Sequence, residues 1–489
     1  MAYTTINDSS AHFHTQLYTG NGTAIGSGGN AITNNANSGN FRPDWTWHKV
    51  RSTTNDHQVY DSTRGVKIRL NPNATNSDFT LNEGLQSFDT NGFTVGSDNG
   101  VNQNSETFVA WQWAAGGTAP TKTYKVVVVS DSGNKYRFRN SADNATFAQS
   151  AVTLDLQEGG TYTFDVSDSS VSSHPFVIGT SANSNEYSTG VVYKLDGVTK
   201  TYSQYTSGFS AATTRQLIIT VAASAPTLYY WCSVHSGMGG QINTNTLFGS
   251  TNFDGSILSV VNVNTTAGFS IVRYVGNATS GTTVGHGLGA APNVFFVKDR
   301  DATKNWIVYN ETLGNDRSLT LNTNDQQSAS TDHWANTSPT SSVFSLGDYS
   351  HVNANSDNFV AYCFSAIKGY SSFGSYQGNN NSEGPYIYTG FKPAWFLVKL
   401  VDNTTRNWQI WDSKRNASTP APAIGNPRVR TISASENTAE TGDYEVDFCS
   451  TGVKIRNDNS SWNGDNYNYV YWAFAECPLV AGGVVSTGG

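Results

Sequence analysis

Charge is scarce in this chain. Only 13% of its 489 residues are Asp, Glu, Lys or Arg, against roughly 25% in an average soluble domain, so neutral polar groups must build its surface. Basic clusters are missing as well, and with a net charge of −8 the chain lacks the electrostatic footprint of a nucleic-acid binder. No apolar run approaches the ~18–20 residues needed to cross a bilayer, so membrane insertion is not expected. The start, Met1 to Ile6, has neither the basic flank nor the apolar stretch of a signal peptide, and synthesis in a cytoplasm without secretion is the expectation. Four cysteines, at 232, 363, 449 and 477, form no Cys-x-x-Cys pair and are too few to brace a chain of this length. Cys363, Cys449 and Cys477 read as small buried hydrophobes.

What the chain has instead is glycine, 46 residues of it, many Asn, Ser and Thr, and 12% aromatics. This mixture suits short strands joined by turns and disfavours long helices. At roughly 100–200 residues per domain, three or four domains are expected, each burying its own core.

Self-similarity is the strongest internal signal. Pro43-Asp44-Trp45-Thr46-Trp47-His48-Lys49 recurs as Pro292 to Lys298 and as Pro393 to Lys399, with Pro and Lys six positions apart each time. An aromatic pair follows each Lys: His57 with Tyr60-Asp61, Trp306 with Tyr309-Asn310, and Trp408 with Trp411-Asp412. Each copy closes on an aromatic strand ending Trp111-Gln112-Trp113, Tyr362-Cys363-Phe364 or Trp472-Ala473-Phe474. A Tyr-x-Gly-Asn turn opens the copies at Tyr18, Tyr274 and Tyr376. The reading is all-β: three repeated antiparallel β-sandwich domains at 13–120, 249–370 and 371–480, an inserted domain at 121–248, an N-terminal arm at 1–12 and a tail at 481–489. Asn91-Gly92, 102–104 and 457–459 read as turns. In 359–364 both strand faces are apolar, which predicts a central strand covered on two sides.

Inside the insertion, 153–157 and 161–165 alternate cleanly around Glu158-Gly159-Gly160 and read as a hairpin. His174-Pro175 follows, and the block ends in Trp231-Cys232-Ser233-Val234-His235-Ser236-Gly237-Met238. A soft thiolate with two imidazoles and a weak axial thioether is the ligand set of a blue-copper site. The block resembles the cupredoxin family, an eight-stranded sandwich with a Cys-x-x-His-x-x-Met loop before its final strand. The resemblance implies His174, Cys232, His235 and Met238 as copper ligands; the structural alternative is a cupredoxin-like sandwich that never meets copper, with Cys232 and His174 packed as a residual polar cluster beneath Trp231 and Met238. One departure is Pro175, which has no N–H to offer the Cys sulfur.

Three further groups have both a chemical and a structural reading. His286 in the Gly-rich stretch 285–289 could serve an anion cradle, but opens no helix and reads as a strand-to-turn bend. Asp44 and Asp61, Glu83 and Asp89 could supply paired carboxylates; nothing in repeats two and three echoes that pairing, and they read as turn carboxylates. The Trp and Tyr residues near 45–60, 306–309 and 408–411 could stack on sugar rings, yet aromatics at repeated positions most simply fill a repeated core.

The repeat set resembles a family of structural proteins of tailed phages from marine, especially cyanobacterial, hosts. That resemblance implies a virion protein: a tail-fibre, tail-tip or head-surface appendage subunit, released by lysis and acting in assembly and host-surface recognition without catalysis. Its expected partners are other virion subunits, further copies of itself (a trimer by analogy with fibres) and a host glycan or protein receptor. The alternatives are a copper protein embedded in a structural chain and a polysaccharide-degrading tailspike.

Overall fold

A computed structural model describes residues 4–37, 39–402, 406–415, 428–442, 445–477, 480–481 and 484–485. The tail at 481–489 therefore lies largely outside the described residues, as does the side chain of Cys477. The chain is all-β, and among the described residues its longest helix is Tyr202–Gly208.

The three related segments build sheets with one strand order. In the first, Phe13–Thr19 pairs with Thr107–Trp113, which pairs with Trp45–Val50 and then Gln58–Asp61. The second has Phe269–Val275, Asn358–Phe364, Val294–Asp299 and Ile307–Asn310 in the same order, with two further strands at each edge. The third has Ser371–Gln377, Asn468–Cys477, Lys392–Leu400 and Gln409–Asp412. A small sheet covers one face of each. Asn30–Thr33 pairs there with Gly92–Val95, Thr282–Gly285 with Val343–Leu346, and Tyr386–Tyr388 with Gly452–Ile455.

The Tyr-x-Gly-Asn turns dock alike on a one-turn helix before each closing strand. The hydroxyls of Tyr18, Tyr274 and Tyr376 donate to the carbonyls of Val101, Val352 and Trp462 at 2.8, 2.6 and 2.7 Å. The amides of Asn21, Asn277 and Asn379 donate to the side chains of Asn102, Asn353 and Asn463. The glycine between is a close approach: a Cβ at Gly20, Gly276 or Gly378 would lie 2.1, 2.2 or 2.2 Å from a carbonyl oxygen. Two stretches read from sequence as turns are thus helix ends, since Asn102 closes Asn99–Asn102 and Asn459 caps Ser460–Asn463.

The expectation of one core per repeat is corrected. Trp45, Trp47 and Trp113, Phe296 and Phe364, and Trp395, Trp472 and Phe474 belong to a single buried cluster. In the first two repeats the closing strand faces a different core on each side, whereas in the third both faces of the strand lie within the shared cluster, which there extends under the small sheet. Val360, Tyr362 and Phe364 join the shared cluster, whereas Phe359, Ala361 and Cys363 pack under the small sheet of their own repeat.

The seams between repeats form a closed cycle. Trp306 donates its indole N–H to the Asn71 carbonyl, Trp408 to that of Thr320, and His57 Nε2 donates to that of Ser433, at 2.9, 2.9 and 3.0 Å. The repeated lysines follow the same circuit, four residues further along each acceptor segment. Lys298 Nζ reaches the Thr75 carbonyl, Lys399 that of Asn324 and Lys49 that of Asn437. Each lysine is fully buried and bonded to carbonyls.

Residues 121–248 build a core distinct from that of the repeats between a six-stranded and a five-stranded sheet, but that core runs past the expected boundary, because Phe253 stacks on Phe138 within it. The expected hairpin is not formed. Leu154–Gln157 pairs with Gln241–Asn245, while Thr161–Asp165 pairs with Thr121–Ser130 and Arg215–Thr220, so the Gly159-Gly160 corner crosses from one sheet to the other. The alternation was real, but it faces Leu154 and Leu156 of one sheet and Tyr162 and Phe164 of the other into a common core. Cys449 is also corrected, being only half-buried. Its edge strand turns Val446 and Phe448 inward, leaving Asp447 and Cys449 on the outer face.

Candidate metal centre

Strands Phe176–Ser181 and Leu228–Cys232 pair antiparallel with Phe176 opposite Cys232, which brings the residues just before one strand beside the end of the other. Ser233 N–H donates to the Pro175 carbonyl at 3.0 Å and fastens the corner. The following loop doubles back on its own strand, with Tyr230 N–H bonded to the Gly240 carbonyl. Only glycine fits at 239, where a Cβ would lie 1.7 Å from the Tyr230 oxygen.

Folded this way, three donor atoms converge. His174 Nδ1 and His235 Nδ1 are 3.0 Å apart, and Cys232 Sγ lies 3.9 Å from the first and 3.7 Å from the second. The centre of that triangle is about 2.1 Å from each corner, matching metal–nitrogen bonds of about 2.0–2.1 Å and metal–sulfur bonds of about 2.3 Å. Cys232 and His174 are buried while His235 is exposed, so the site sits just beneath the surface. Met238, on the same loop, is buried in the module's core.

The electrostatics suit a cation ligand. Burial, and then the neighbouring His235, pull the His174 imidazole below its ordinary value, keeping the ring neutral and its nitrogen lone pair available. The Asn134 amide nitrogen lies 3.4 Å from His174 Nε2; with Nδ1 committed to a metal, Nε2 would carry the ring proton and the flipped amide would accept from it through its oxygen. Tyr136 holds the His174 carbonyl at 2.8 Å. Pro175 offers the sulfur no N–H, and its carbonyl is engaged with Ser233. Three of the four predicted ligands thus converge on one corner of the module, Met238 is buried in its core, and Asn134, Tyr136 and Gly239 are supporting residues that no motif announced.

The other sequence candidates are held structurally. His286 is fully buried, bonded to the Thr340 carbonyl and accepting from Leu288 N–H, and burial lowers it to about 4. Asp44 accepts from Arg42, Ser62 and the Ala115 N–H. Asp61 accepts from Arg64 and Tyr362, Glu83 from Ile25 and Ser97, and Asp89 from Ser87 and Thr94. Trp45, Trp47, Tyr60, Trp306, Tyr309, Trp408 and Trp411 are all buried.

A family model for a domain of unknown function, DUF7483, matches residues 8–135 and 206–478. The stretch it passes over lies inside the inserted module. No curated protein and no solved structure matches the chain.

Proposed function

The chain belongs to the DUF7483 family, and from its architecture we propose that it is a structural subunit of a tailed-phage particle, displayed on the tail or head surface and acting in assembly and host recognition without catalysis. The observation carrying this reading is the cyclic seam: three copies of one unit close on themselves through matched indole, imidazole and ammonium contacts to neighbouring carbonyls. Such a body is a rigid pedestal. It carries one extra module with its own core, and its low-charge surface rich in Asn, Ser, Thr and Gly suits many weak polar contacts, which gain strength by repetition. If the reading holds, purified protein added to host cells slows adsorption of the phage that encodes it. Unchanged adsorption with saturating protein counts against the recognition role.

A second reading is favoured by the triangle of His174, Cys232 and His235: the module binds copper. Cys232, His174 and His235 would hold the ion, and the cupredoxin resemblance adds the Met238 thioether as a fourth donor. Copper there would supply one-electron chemistry; the chain's own residues orient the donors, bury the sulfur and leave the His235 edge open to solvent. The expected result is one equivalent of copper per chain with an intense visible thiolate band, both lost in Cys232→Ser. Binding that survives this substitution rejects the site.

A further inference from the structure

A groove between the inserted module and the second repeat has a volume of about 400 Å³, within the range of small-molecule sites, which favour such junctions. One wall is the module strand Thr121–Ser130. The opposite wall is the Gly287 to Gly289 turn with Ser341 and Ser342. Each wall brings hydrogen-bonding groups that the fold leaves unused.

Lys122 shares the inward face of its strand with Tyr124 and Val126, yet it makes no hydrogen bond or ion pair among the described residues, whereas the neighbouring Lys125 and Arg139 are both paired with Asp143. Asp254, the carboxylate nearest in the groove, is occupied by Ser141 N–H and the Asn252 amide. Burial pulls the Lys122 ammonium down to about 8, with only Asp254 opposing, so it is cationic at neutral pH but poorly compensated. Across the groove, Gly287 and Gly289 adopt left-handed conformations, φ 71° and 76°. Their backbone N–H groups have no acceptor among the described residues. Backbone N–H groups without acceptors on one wall and a poorly compensated cation on the other supply the donors that an anion takes. The hydroxyls of Thr123, Ser141 and Ser341 also line the groove without protein partners among the described residues, which leaves donors and acceptors for a hydroxylated ligand.

We propose that this groove binds a small hydroxylated molecule bearing an oxyanion, an acidic sugar carrying either a carboxylate or a phosphate, with the anion on Lys122 and the Gly287 and Gly289 amides and the hydroxyls on Thr123, Ser141 and Ser341. The site is independent of the metal triangle and of any place in a particle, so it can fail or succeed without them.

The test is calorimetric titration of the full chain with glucuronate, glucose 6-phosphate, glucose and inorganic phosphate. Glucuronate or glucose 6-phosphate is expected to bind more tightly than both glucose and phosphate, and the tighter of the two identifies the anion. Lys122→Met removes a charged hydrogen bond and is expected to weaken that binding roughly ten- to a hundred-fold. Ser341→Trp, at an exposed position on the rim, should block it while leaving the fold intact by circular dichroism. The proposal is overturned if neither acid binds, if glucose or phosphate alone binds as well as the acids, or if both variants bind like the parent.

Discussion

The three repeated lysines show how a residue can be plain in sequence while its work is hidden. The Pro-to-Lys spacing marks Lys49, Lys298 and Lys399 as equivalent, but nothing local says that their ammonium groups cross to another repeat. Burial pushes them down to about 8, 8 and 7. Because each value lies below the unfolded lysine value of about 10.4, the unfolded chain binds more protons across this interval, and stability rises as pH increases. Cysteines exposed on unfolding begin to ionise near pH 8.5, and Cys363, whose thiol burial raises, then opposes the trend. The denaturation midpoint is therefore expected to climb from pH 7 to about pH 8.5, and less steeply in Lys298→Met. A flat or falling midpoint in both proteins would refute this assignment. The convergence of Cys232 and His235 with His174 was more legible, since the first two share one loop and His174 precedes a strand that pairs with the strand before it. Cys449 was misread because cysteine's usual burial was set above the alternation of Val446-Asp447-Phe448-Cys449, which already puts it on the face of Asp447.

Elements repeat more faithfully than their seams. The closing strands place Trp111, Tyr362 and Trp472 at matched positions, and two of the three find a carboxylate in the neighbouring repeat. Trp111 donates to Asp412 at 2.9 Å, and Tyr362 to Asp61 at 2.6 Å. Those acids pair with Arg415 and Arg64, which continue to Glu440 and Asp78 and thence to Arg51 and Arg300. At the third seam Asn310 and Leu313 replace the Asp and Arg, and both Trp472 Nε1 and Asn310 Nδ2 are buried without a partner. Restoring only the acid buries an unpaired charge, and restoring only the arginine does the same with opposite sign. Asn310→Asp and Leu313→Arg are thus each expected to destabilise, and together to recover, with a coupling of about 1 kcal/mol or more in a double-mutant cycle read by urea unfolding. Additive losses would contradict the correspondence between seams. Strand identities could be read from alternation and repeated motifs, whereas the pairing of 153–157 could not. Alternation fixes which face a residue takes, and it says nothing about which sheet the strand joins.

At the scale of the whole molecule, sequence revealed three copies and an insertion but not that the copies share a core. A strand apolar on both faces demands two partners; only the fold shows that the second partner is the other two repeats. Trp45 stacks on Tyr362 of the second copy, and Phe296 of the second lies parallel to Trp472 of the third, at 4.7 and 5.8 Å between ring centroids. The N-terminal arm joins in, with Ile6 in the shared cluster and Ser9 bonded to the Glu476 carbonyl. One chain therefore supplies three copies of one unit closed around a shared core, with the separate module inserted between the first and second copies. The most direct test of its proposed role is an image reconstruction of the purified phage particle, read with the chain's copy number. The account predicts three-lobed density on the particle's exterior, with a single off-axis module on each chain. Particles that lack the chain, or that enclose it where no host surface can reach it, would contradict it.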